Sequence, residues 1–463
     1  MIQLIGTFVC VAVIIWLFYL DRDASVKTSK ALWIPTVWLI IIASRTLSAW
    51  LQPNATTSLT ERYTEGNPLD AAVYGLLIAA GLLVLNFRSR EVGRFLRDNA
   101  AILLFFTYCV LSALWSDQSL IALKRWSKSV GDLVMVMVVL TDGNPLVATK
   151  RLFARVTFVL LPLSVLLIIG YPSLGSAYNP LDGVTMYFGV ATFKNLLGMI
   201  SMVFGLASVW SFLDAYEKLN TPHRKRHLIA HGLMIVTAVG LIVRADSMTS
   251  LACLILGIVV MVMISQSWIA RWPAGVHVII WTAVGLPLFA VFVDTVGTLV
   301  RSLGRNPTLT GRTAIWKAVL SLQTNPFVGT GFESFWLGSR LENVWSMTFR
   351  GVQEAHNGYL ELYLNLGWVG LVLLGWMIAS GYQKALFAFR QNAHSGRLRL
   401  AYITAALILS LTEAGFRMLS PIWFAFLLAI AGVGLGGEPR EIKPTRELSW
   451  VRAGDRKPIR ILR

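Results

Sequence analysis

Charged residues are scarce in this chain: they make up 14% of its 463 residues, whereas 56% are hydrophobic. A soluble globular domain carries about 25% charged residues, so the composition excludes that class. Cysteine is rare too, and Cys10, Cys109 and Cys253 stand inside apolar segments without paired spacing. We expect them to be small packing residues. A glycine-rich nucleotide loop on a strand is also missing from the sequence, so neither ATP nor a nucleotide sugar is indicated.

Long apolar segments are abundant instead. A segment near 20 residues crosses a hydrocarbon core of about 30 Å. The pattern predicts an all-α, polytopic integral membrane protein with about 12 to 14 transmembrane helices, because two of the segments are short. The predicted spans are Ile2–Leu20, Ala31–Leu51, Leu69–Phe87, Asn99–Trp115, Ser127–Thr141, Phe153–Pro172, Phe193–Leu213, His227–Val243, Thr249–Ser265, Gly275–Thr298, Asn357–Ser380, Leu398–Leu411 and Leu419–Gly436. The first lacks the basic region and cleavage site of a signal peptide.

Lysine and arginine are distributed unevenly between alternate connections, which predicts the orientation. With the N-terminus outside and the C-terminus inside, most of the 41 basic residues fall on the inner side. They include Arg88, Arg90, Arg94 and Arg97 in one connection and residues 224–226 in another. The net charge of +17 is therefore mainly an orientation signal, and we expect no nucleic-acid partner.

One long connection divides the predicted spans. We expect an N-terminal transmembrane bundle over residues 1–298, an outer loop over 299–355, C-terminal transmembrane helices over 356–436, and a basic, disordered cytoplasmic tail over 437–463. In the loop, apolar residues at i, i+4 and i+7 predict an amphipathic helix over Thr313–Gln323, lying on the membrane surface. Asn325-Pro326 should stop this helix, and Gly329 and Gly331 should permit a tight turn after it.

His356 is placed differently from the other five histidines. It opens a predicted span on the outer side, whereas the others lie at or near the inner face, namely His223, His227, His231, His277 and His394. An imidazole with its ordinary pKa near 6.5 suits a general base. A lone histidine is more often a hydrogen-bonded structural residue, which is the alternative. A helix beginning here would place Asn357 and Glu361 on an adjacent stripe, where Glu361 could orient a substrate hydroxyl.

Basic residues also lie at the outer ends of several spans, against the charge bias, and such residues are often functional. Arginine and lysine bind phosphate, so together they predict a site for a diphosphate. The candidates are Arg45, Lys124, Arg125, Lys128, Lys194, Arg244 and Arg312. Arg312 falls on the first turn of the loop helix, where free N–H groups favour an anion. The alternative is that such a residue extends its charged end to the membrane interface or forms a structural ion pair. Lys128 and Asp132 have the spacing of an ion pair on one helix, and so do Glu413 and Arg417.

Six segments resemble the O-antigen ligase and polymerase superfamily of bacterial envelope glycosyltransferases, and within it most resemble the exopolysaccharide polymerases. These segments are Ser44–Trp50, Phe193–Gly198, Asp246–Leu251, Thr308–Trp316, Asn325–Trp336 and His356–Gly358. The last three bracket the outer loop in order and form a specific signal.

The resemblance implies an enzyme of the bacterial inner membrane whose active site faces the periplasm. It implies an inverting, metal-independent transfer from undecaprenyl-diphosphate-linked glycans, with no cofactor. His356 matches the essential histidine and Arg312 the loop arginine. Many relatives have a basic residue where this chain has Met248, so Arg244, Lys194 or Arg125 would take that role. The implied partners are the lipid-linked donor, a glycan or lipid A core acceptor, the bilayer, and chain-length and export proteins.

Several functions remain open on the sequence. The acceptor distinguishes a polymerase, which extends another lipid-linked repeat unit, from a ligase, which uses lipid A core. A metal-dependent glycosyltransferase would use Asp21 and Asp23 and would need the opposite orientation. A transporter of lipid-linked oligosaccharide would favour charges at mid-membrane in paired half-helices, whereas here the charges gather at one edge.

Overall fold

The computed structural model describes residues 2–23, 27–51, 66–178, 183–218, 223–266, 268–269, 272, 274–292, 312–322 and 324–432. In these ranges the regular secondary structure is helical apart from one antiparallel hairpin of β1 (Ser176–Tyr178) and β2 (Thr185–Tyr187), in which Ala177 pairs with Met186. The predicted all-α class is therefore confirmed. The predicted tail over 437–463 lies outside the described residues.

The N-terminal helices run from the first span to the hairpin. They are α1 (Ile2–Leu20), α2 (Trp33–Ile42), α3 (Leu47–Leu51), α4 (Pro68–Asn86), α5 (Ser89–Asp98), α6 (Ala100–Leu111), α7 (Ser119–Leu140), α8 (Pro145–Gly170) and α9 (Pro172–Gly175). Two 3-10 turns, Lys30–Leu32 and Ser112–Trp115, lead into α2 and follow α6.

The remaining helices follow the hairpin. They are α10 (Lys194–Glu217), α11 (Arg224–Arg244), α12 (Met248–Ile264), α13 (Gly275–Phe292), α14 (Arg312–Ser321), α15 (Gly338–Met347), α16 (Gly358–Gln391), α17 (Ala393–Leu409) and α18 (Pro421–Ile430).

Six helices in the described ranges are long and apolar enough to cross a membrane: α1, α4, α8, α10, α11 and α16. The pair α5 and α6, bent by 86°, is a further candidate, and α2, α12, α13 and α18 are shorter apolar helices. A polytopic membrane protein is thus confirmed. Each of the thirteen predicted segments falls on a helix, but several are too short to span alone, so the count of about 12 to 14 stays a prediction.

One predicted boundary is wrong. The second span does not continue to Leu51, because the helix ends at Ile42 and the Ser44 hydroxyl donates to the Ile40 carbonyl at 2.7 Å, which competes with the helical backbone. Helix α7 begins at Ser119, and α16 continues to Gln391. A helix can continue past the hydrocarbon core of a bilayer, so these two helices extend beyond the predicted spans without contradicting them.

Burial separates central helices from peripheral ones. In α10, 83% of the apolar window is buried inside the protein, compared with 17% in α1. The apolar residues that α1 exposes, such as Phe8 and Ile15, suit a lipid environment. The centre of the bundle holds large buried rings, including Trp38, Trp210 and Trp423.

The loop helix is confirmed as a helix, but its apolar face packs against protein, and its place on the membrane surface stays a prediction. Ile315 and Val319 of α14 are buried in a separate small core, together with Phe335, Trp336, Leu341, Val344, Val352, Ala355 and Leu364. Helix α15, which the sequence analysis did not predict, covers the apolar face that was assigned to lipid. This core holds α14 against the first turns of α16.

Helix α16 breaks at Gly367, which has a φ of 62°. The segment after α14 satisfies the backbone groups that the break leaves unpaired: Trp368 N–H donates to the Pro326 carbonyl at 2.9 Å, and Val369 N–H donates to Phe327 at 3.1 Å. Gly329 has a φ of 66°, so the predicted turn is confirmed there. The loop and the helix break therefore form one unit, which fixes the first ten residues of α16.

Gly367 should not tolerate a side chain. A Cβ there would lie 2.3 Å from the Phe327 carbonyl carbon, in a backbone conformation that favours glycine. We expect Gly367→Ala to lower the thermal unfolding temperature in detergent, through a loss of about 2 kcal/mol or more. Gly375→Ala is the matched control, because a Cβ at this position of the same helix meets nothing within 4 Å. Equal unfolding temperatures for the two variants would contradict this role of the break.

Candidate active site

The chain enters α16 through a tightly defined turn. Asn357 caps the helix, and its Oδ1 accepts the N–H groups of Tyr359 and Leu360, both at 3.0 Å. Gly358 N–H donates to the Ser410 carbonyl at 2.8 Å, and a Cβ on Gly358 would lie 3.0 Å from that of Ser410. His356 precedes the cap with a φ of 50°. These contacts tie His356 to the turn between α17 and α18.

The carboxylate of Glu413 connects three distant parts of the chain. Its Oε1 accepts the Arg312 guanidinium at 2.7 Å and the Asn195 amide at 2.9 Å. Its Oε2 lies 3.5 Å from Nδ1 of His356. The Glu413 side chain is only 8% exposed, so these contacts act where water screens charge weakly. The two residues that the sequence analysis judged most important thus meet at one buried anion.

A second ion-pair chain joins the first. Nδ1 of His356 lies 2.9 Å from Glu354, and Arg417 reaches Glu354 at 3.7 Å and Glu333 at 3.3 Å. Arg125 of α7 donates to the Glu333 carbonyl. We call Arg312, Glu333, Glu354, His356, Glu413 and Arg417 the His356 cluster. It holds three carboxylates, two guanidinium groups and one imidazole.

The electrostatics of this cluster make the imidazole a cation at neutral pH. Burial alone would lower the pKa of His356, but its contacts with Glu354 and Glu413 and their negative charges raise it to about 9. Burial alone would likewise raise the pKa of Glu354, but contact with His356 and the charges of His356, Arg417 and Arg312 lower it. The pKa near 6.5 assumed for a free general base is therefore wrong for the resting state.

Backbone strain is concentrated around this region. Four non-glycine residues in the described ranges have a positive φ, and they include His356, Glu333 and Asp246. Such conformations cost roughly 1–3 kcal/mol each and persist where surrounding contacts enforce them, often at functional sites. Two of the three belong to the His356 cluster.

Two further predicted phosphate ligands lie at the ends of neighbouring helices. Lys194, the first residue of α10, is 3.8 Å from Asp246 and next to Asn195, which contacts Glu413. Arg244, the last residue of α11, stacks over Tyr187 of the hairpin at 4.4 Å. The structure therefore connects Lys194 to the His356 cluster through its neighbour, and it places Arg244 against β2.

Arg45 and Lys128 make their contacts elsewhere. The Arg45 guanidinium donates to the carbonyls of Leu174, Gly189 and Ala191, which holds the hairpin region against the break after α2. Lys128 lies 5.8 Å from the ring centroid of Tyr74. The predicted pair between Lys128 and Asp132 is wrong, because buried Asp132 instead accepts the Trp38 indole at 2.8 Å and the Leu419 N–H at 3.0 Å.

Glu361 and Asn357 have structural contacts. Glu361 accepts the Trp336 indole at 2.8 Å and the N–H of Ala355, and only 8% of the residue is exposed. These bonds position the chain just before His356. Asn357 serves as the helix cap, and its amide donates to the Leu411 carbonyl at 3.1 Å. Direct substrate contact by either residue stays a prediction.

Much of the His356 cluster was not predicted from the sequence. Glu413 and Arg417 were interpreted as a pair with each other, but each binds other partners, so that pairing is wrong. Glu333 and Glu354 were not singled out. The signal that could have found them is their position, because Glu333 lies inside the Asn325–Trp336 segment and Glu354 lies two residues before His356.

The described residues contain two groups that have the ligands for a metal ion. In one, ligand atoms of Glu354, His356 and Glu413 lie within 4.8 Å of one another, and the other consists of Asp21, His227 and His231. In the first group, Arg312 and Arg417 already neutralise the carboxylates. The expectation that the transfer is metal-independent stays a prediction.

The comparisons with known proteins concern the family of the chain. A family described as O-Antigen ligase matches residues 229–375, a range that contains Arg244, Arg312, Glu333, Glu354, His356 and Glu361. The O-antigen ligase and polymerase-like family predicted from the sequence is thereby supported. Members of this type are glycosyltransferase-like membrane enzymes.

One curated relative is similar over much of its length. The exopolysaccharide production protein ExoQ of Rhizobium meliloti (strain 1021) is 22% identical over 329 residues, which cover 67% of this chain and 70% of the relative. The chain is thus similar both to an O-antigen ligase family and to an exopolysaccharide production protein.

The raised pKa of His356 predicts a pH-dependent stability. Because the folded-state pKa is higher than the ordinary value of 6.5, the contribution is complete below pH 6.5 and is lost as the pH rises through about 9. We expect the unfolding temperature of the wild type in detergent to exceed that of His356→Gln by roughly 2–4 °C at low pH. This difference in unfolding temperature should disappear at alkaline pH. A difference in unfolding temperature that stays the same from pH 6.5 to about 9 would contradict the raised pKa of His356.

Proposed function

We propose that the protein is a glycosyltransferase that polymerises lipid-diphosphate-linked oligosaccharide repeat units at the periplasmic face of the bacterial inner membrane. One observation carries the proposal: the candidate base His356 and the candidate phosphate ligand Arg312 meet at the same buried carboxylate, that of Glu413. The similarity to an exopolysaccharide production protein supports a role in making an envelope polysaccharide.

In the proposed reaction, neutral His356 takes the proton of an acceptor sugar hydroxyl. The oxygen attacks the anomeric carbon of the donor, and the bond from that carbon to the diphosphate breaks with inversion. The bonding electrons leave with the diphosphate oxygen. A positioned base of this kind contributes typically about 10²–10⁴-fold.

Guanidinium groups stabilise the departing diphosphate in this proposal. Arg312 stands at the first turn of α14, where backbone N–H groups also face an anion. Arg417 and Lys194 lie in or beside the His356 cluster and add positive charge there. Such preorganised charge is usually the largest single contribution to a transfer of this kind. In the resting state the carboxylates of Glu413, Glu354 and Glu333 take the place of substrate as partners of the cations.

The raised pKa of His356 adds a requirement to this mechanism. With a pKa of about 9, roughly 1% of the imidazole is neutral at pH 7. The resting proton must therefore leave before His356 can act as a base. Deprotonation then limits the transfer at neutral pH and makes the rate dependent on pH.

A ligase is the second candidate, because the matching family is described as O-Antigen ligase. The chemistry at the donor would be the same, and only the acceptor would differ. The glycans of a strain that lacks the protein distinguish the two. Single repeat units without long chains indicate a polymerase, whereas accumulated lipid-linked polymer indicates a ligase.

His356→Ala should abolish glycan elongation in a strain complemented with the variant, because no other group is proposed to take the hydroxyl proton. The measurement is the glycan length distribution, alongside the amount of inserted protein. His277→Ala is the control, since the His277 ring contacts Tyr382 in a different part of the bundle. Near-normal elongation by an inserted His356→Ala protein would disprove the base role.

The pH profile of elongation by purified protein tests the protonation state. If neutral His356 is the base, the rate should rise up to about 10-fold for each pH unit above 7 and level off near pH 9. Glu354→Gln removes a negative charge beside the ring, lowers the pKa of His356, and should move the rise to lower pH. A rate that instead falls as His356 loses its proton would show that the imidazolium acts as a cation.

A further inference from the structure

A second group of titratable residues lies far from the His356 cluster. Asp21 directly follows α1, and its Oδ1 lies 2.9 Å from Nδ1 of His227 and 3.2 Å from Nε2 of His231. The two histidines stand one helical turn apart on α11. Their ring nitrogens and the carboxylate lie within 4.8 Å of one another. We call Asp21, His227 and His231 the Asp21 cluster.

This arrangement has the composition and spacing of a transition-metal site. Histidines at i and i+4 present their rings on one face of a helix, as in known zinc-binding helices. A tetrahedral ion with bonds of about 2.0–2.2 Å separates its ligand atoms by roughly 3.3–3.5 Å. The observed separations of 2.9 and 3.2 Å differ from that range by only a few tenths of an ångström.

The surroundings of the Asp21 cluster hold the ligands in place. The His231 ring packs 5.5 Å from the Phe158 ring, and its side chain is only 5% exposed. His227 and Asp21 are partly exposed at 24% and 21%, which leaves a path for an ion. Arg226, which precedes His227 in sequence, is stacked on the Tyr19 ring at 4.5 Å and donates to the Tyr19 carbonyl.

We propose that the Asp21 cluster binds one divalent transition-metal ion of the Zn²⁺ class and so joins the end of α1 to the start of α11. Two imidazole nitrogens and one carboxylate oxygen suit ions of this borderline type rather than Mg²⁺ or Ca²⁺, which prefer oxygen ligands. Asp23 is not a member of the cluster, and its carbonyl accepts from Arg151. The ligand set therefore differs from the Asp21 and Asp23 pair considered for catalysis.

The proposed ion has a structural role, because the cluster lies at the opposite end of α11 from the candidate active site. From His227 to Asp246, beside Lys194, the chain rises about 28 Å along the helix. Metal binding would stabilise the contact between α1, which is mostly exposed, and the bundle.

The test uses full-length protein in detergent, first stripped with a chelator and then titrated with Co²⁺ as a spectroscopic probe. We expect one Co²⁺ per chain, a visible absorption band typical of four-coordinate Co²⁺, displacement by Zn²⁺, and a higher unfolding temperature. His231→Gln should weaken Co²⁺ binding by at least about 100-fold, because even indirect partners of a metal contribute about 10–100-fold.

Three further variants complete the test. Asp21→Asn and the more exposed His227→Gln should also lose the ion, and they provide a readout if His231→Gln does not fold. His277→Gln, which alters a histidine of α13, should bind Co²⁺ like the wild type. Co²⁺ binding that is absent in the wild type, or that persists in all three cluster variants, would overturn the proposal. Neither outcome depends on glycan elongation.

Discussion

The Glu413 carboxylate is the contact on which the architecture of the candidate site depends. It is a buried anion that holds a guanidinium from α14, an amide from α10 and an imidazole from the turn before α16. A buried charge without partners is very costly, so these three segments are held together as long as Glu413 is ionised. The loop and the bundle become a single body at this point. That is why residues far apart in the sequence share one electrostatic environment.

The neutralised resting cluster also explains how the protein carries so much charge beside a membrane. Three carboxylates face two guanidinium groups and one imidazolium, so the cations are partnered while the site waits for a substrate. In the proposed reaction, an arriving diphosphate competes with these carboxylates for the same donors. The raised pKa of His356 is a direct result of this arrangement, and in the proposed reaction it makes transfer sensitive to proton availability.

The sequence was sufficient for the features that depend on local pattern. Apolar segments predicted the all-α membrane fold, the i, i+4, i+7 pattern predicted α14, and motif order indicated Arg312 and His356. It was insufficient where long-range pairing decides the outcome. The spacing of Glu413 and Arg417 suggests a mutual pair, yet each finds a partner on another element. The burial of α14 depends on α15, whose helical spacing of Leu341, Val344 and Trp345 was overlooked in the sequence. The pKa of His356 follows from two carboxylates, and only the fold brings one of them, Glu413, to the ring.

The break at Gly367 affects how the length of α16 can vary. The first ten residues of the helix are held by the Asn325–Phe335 segment and by the Asn357 cap, which set their rotation. One residue inserted there would turn the preceding chain by about 100° and carry His356 away from Glu413. One residue inserted further along, near Gly375, would instead displace only the distal part of the helix. The distal part of α16 can therefore change in length to match a bilayer of different thickness, while the end that carries His356 stays in place.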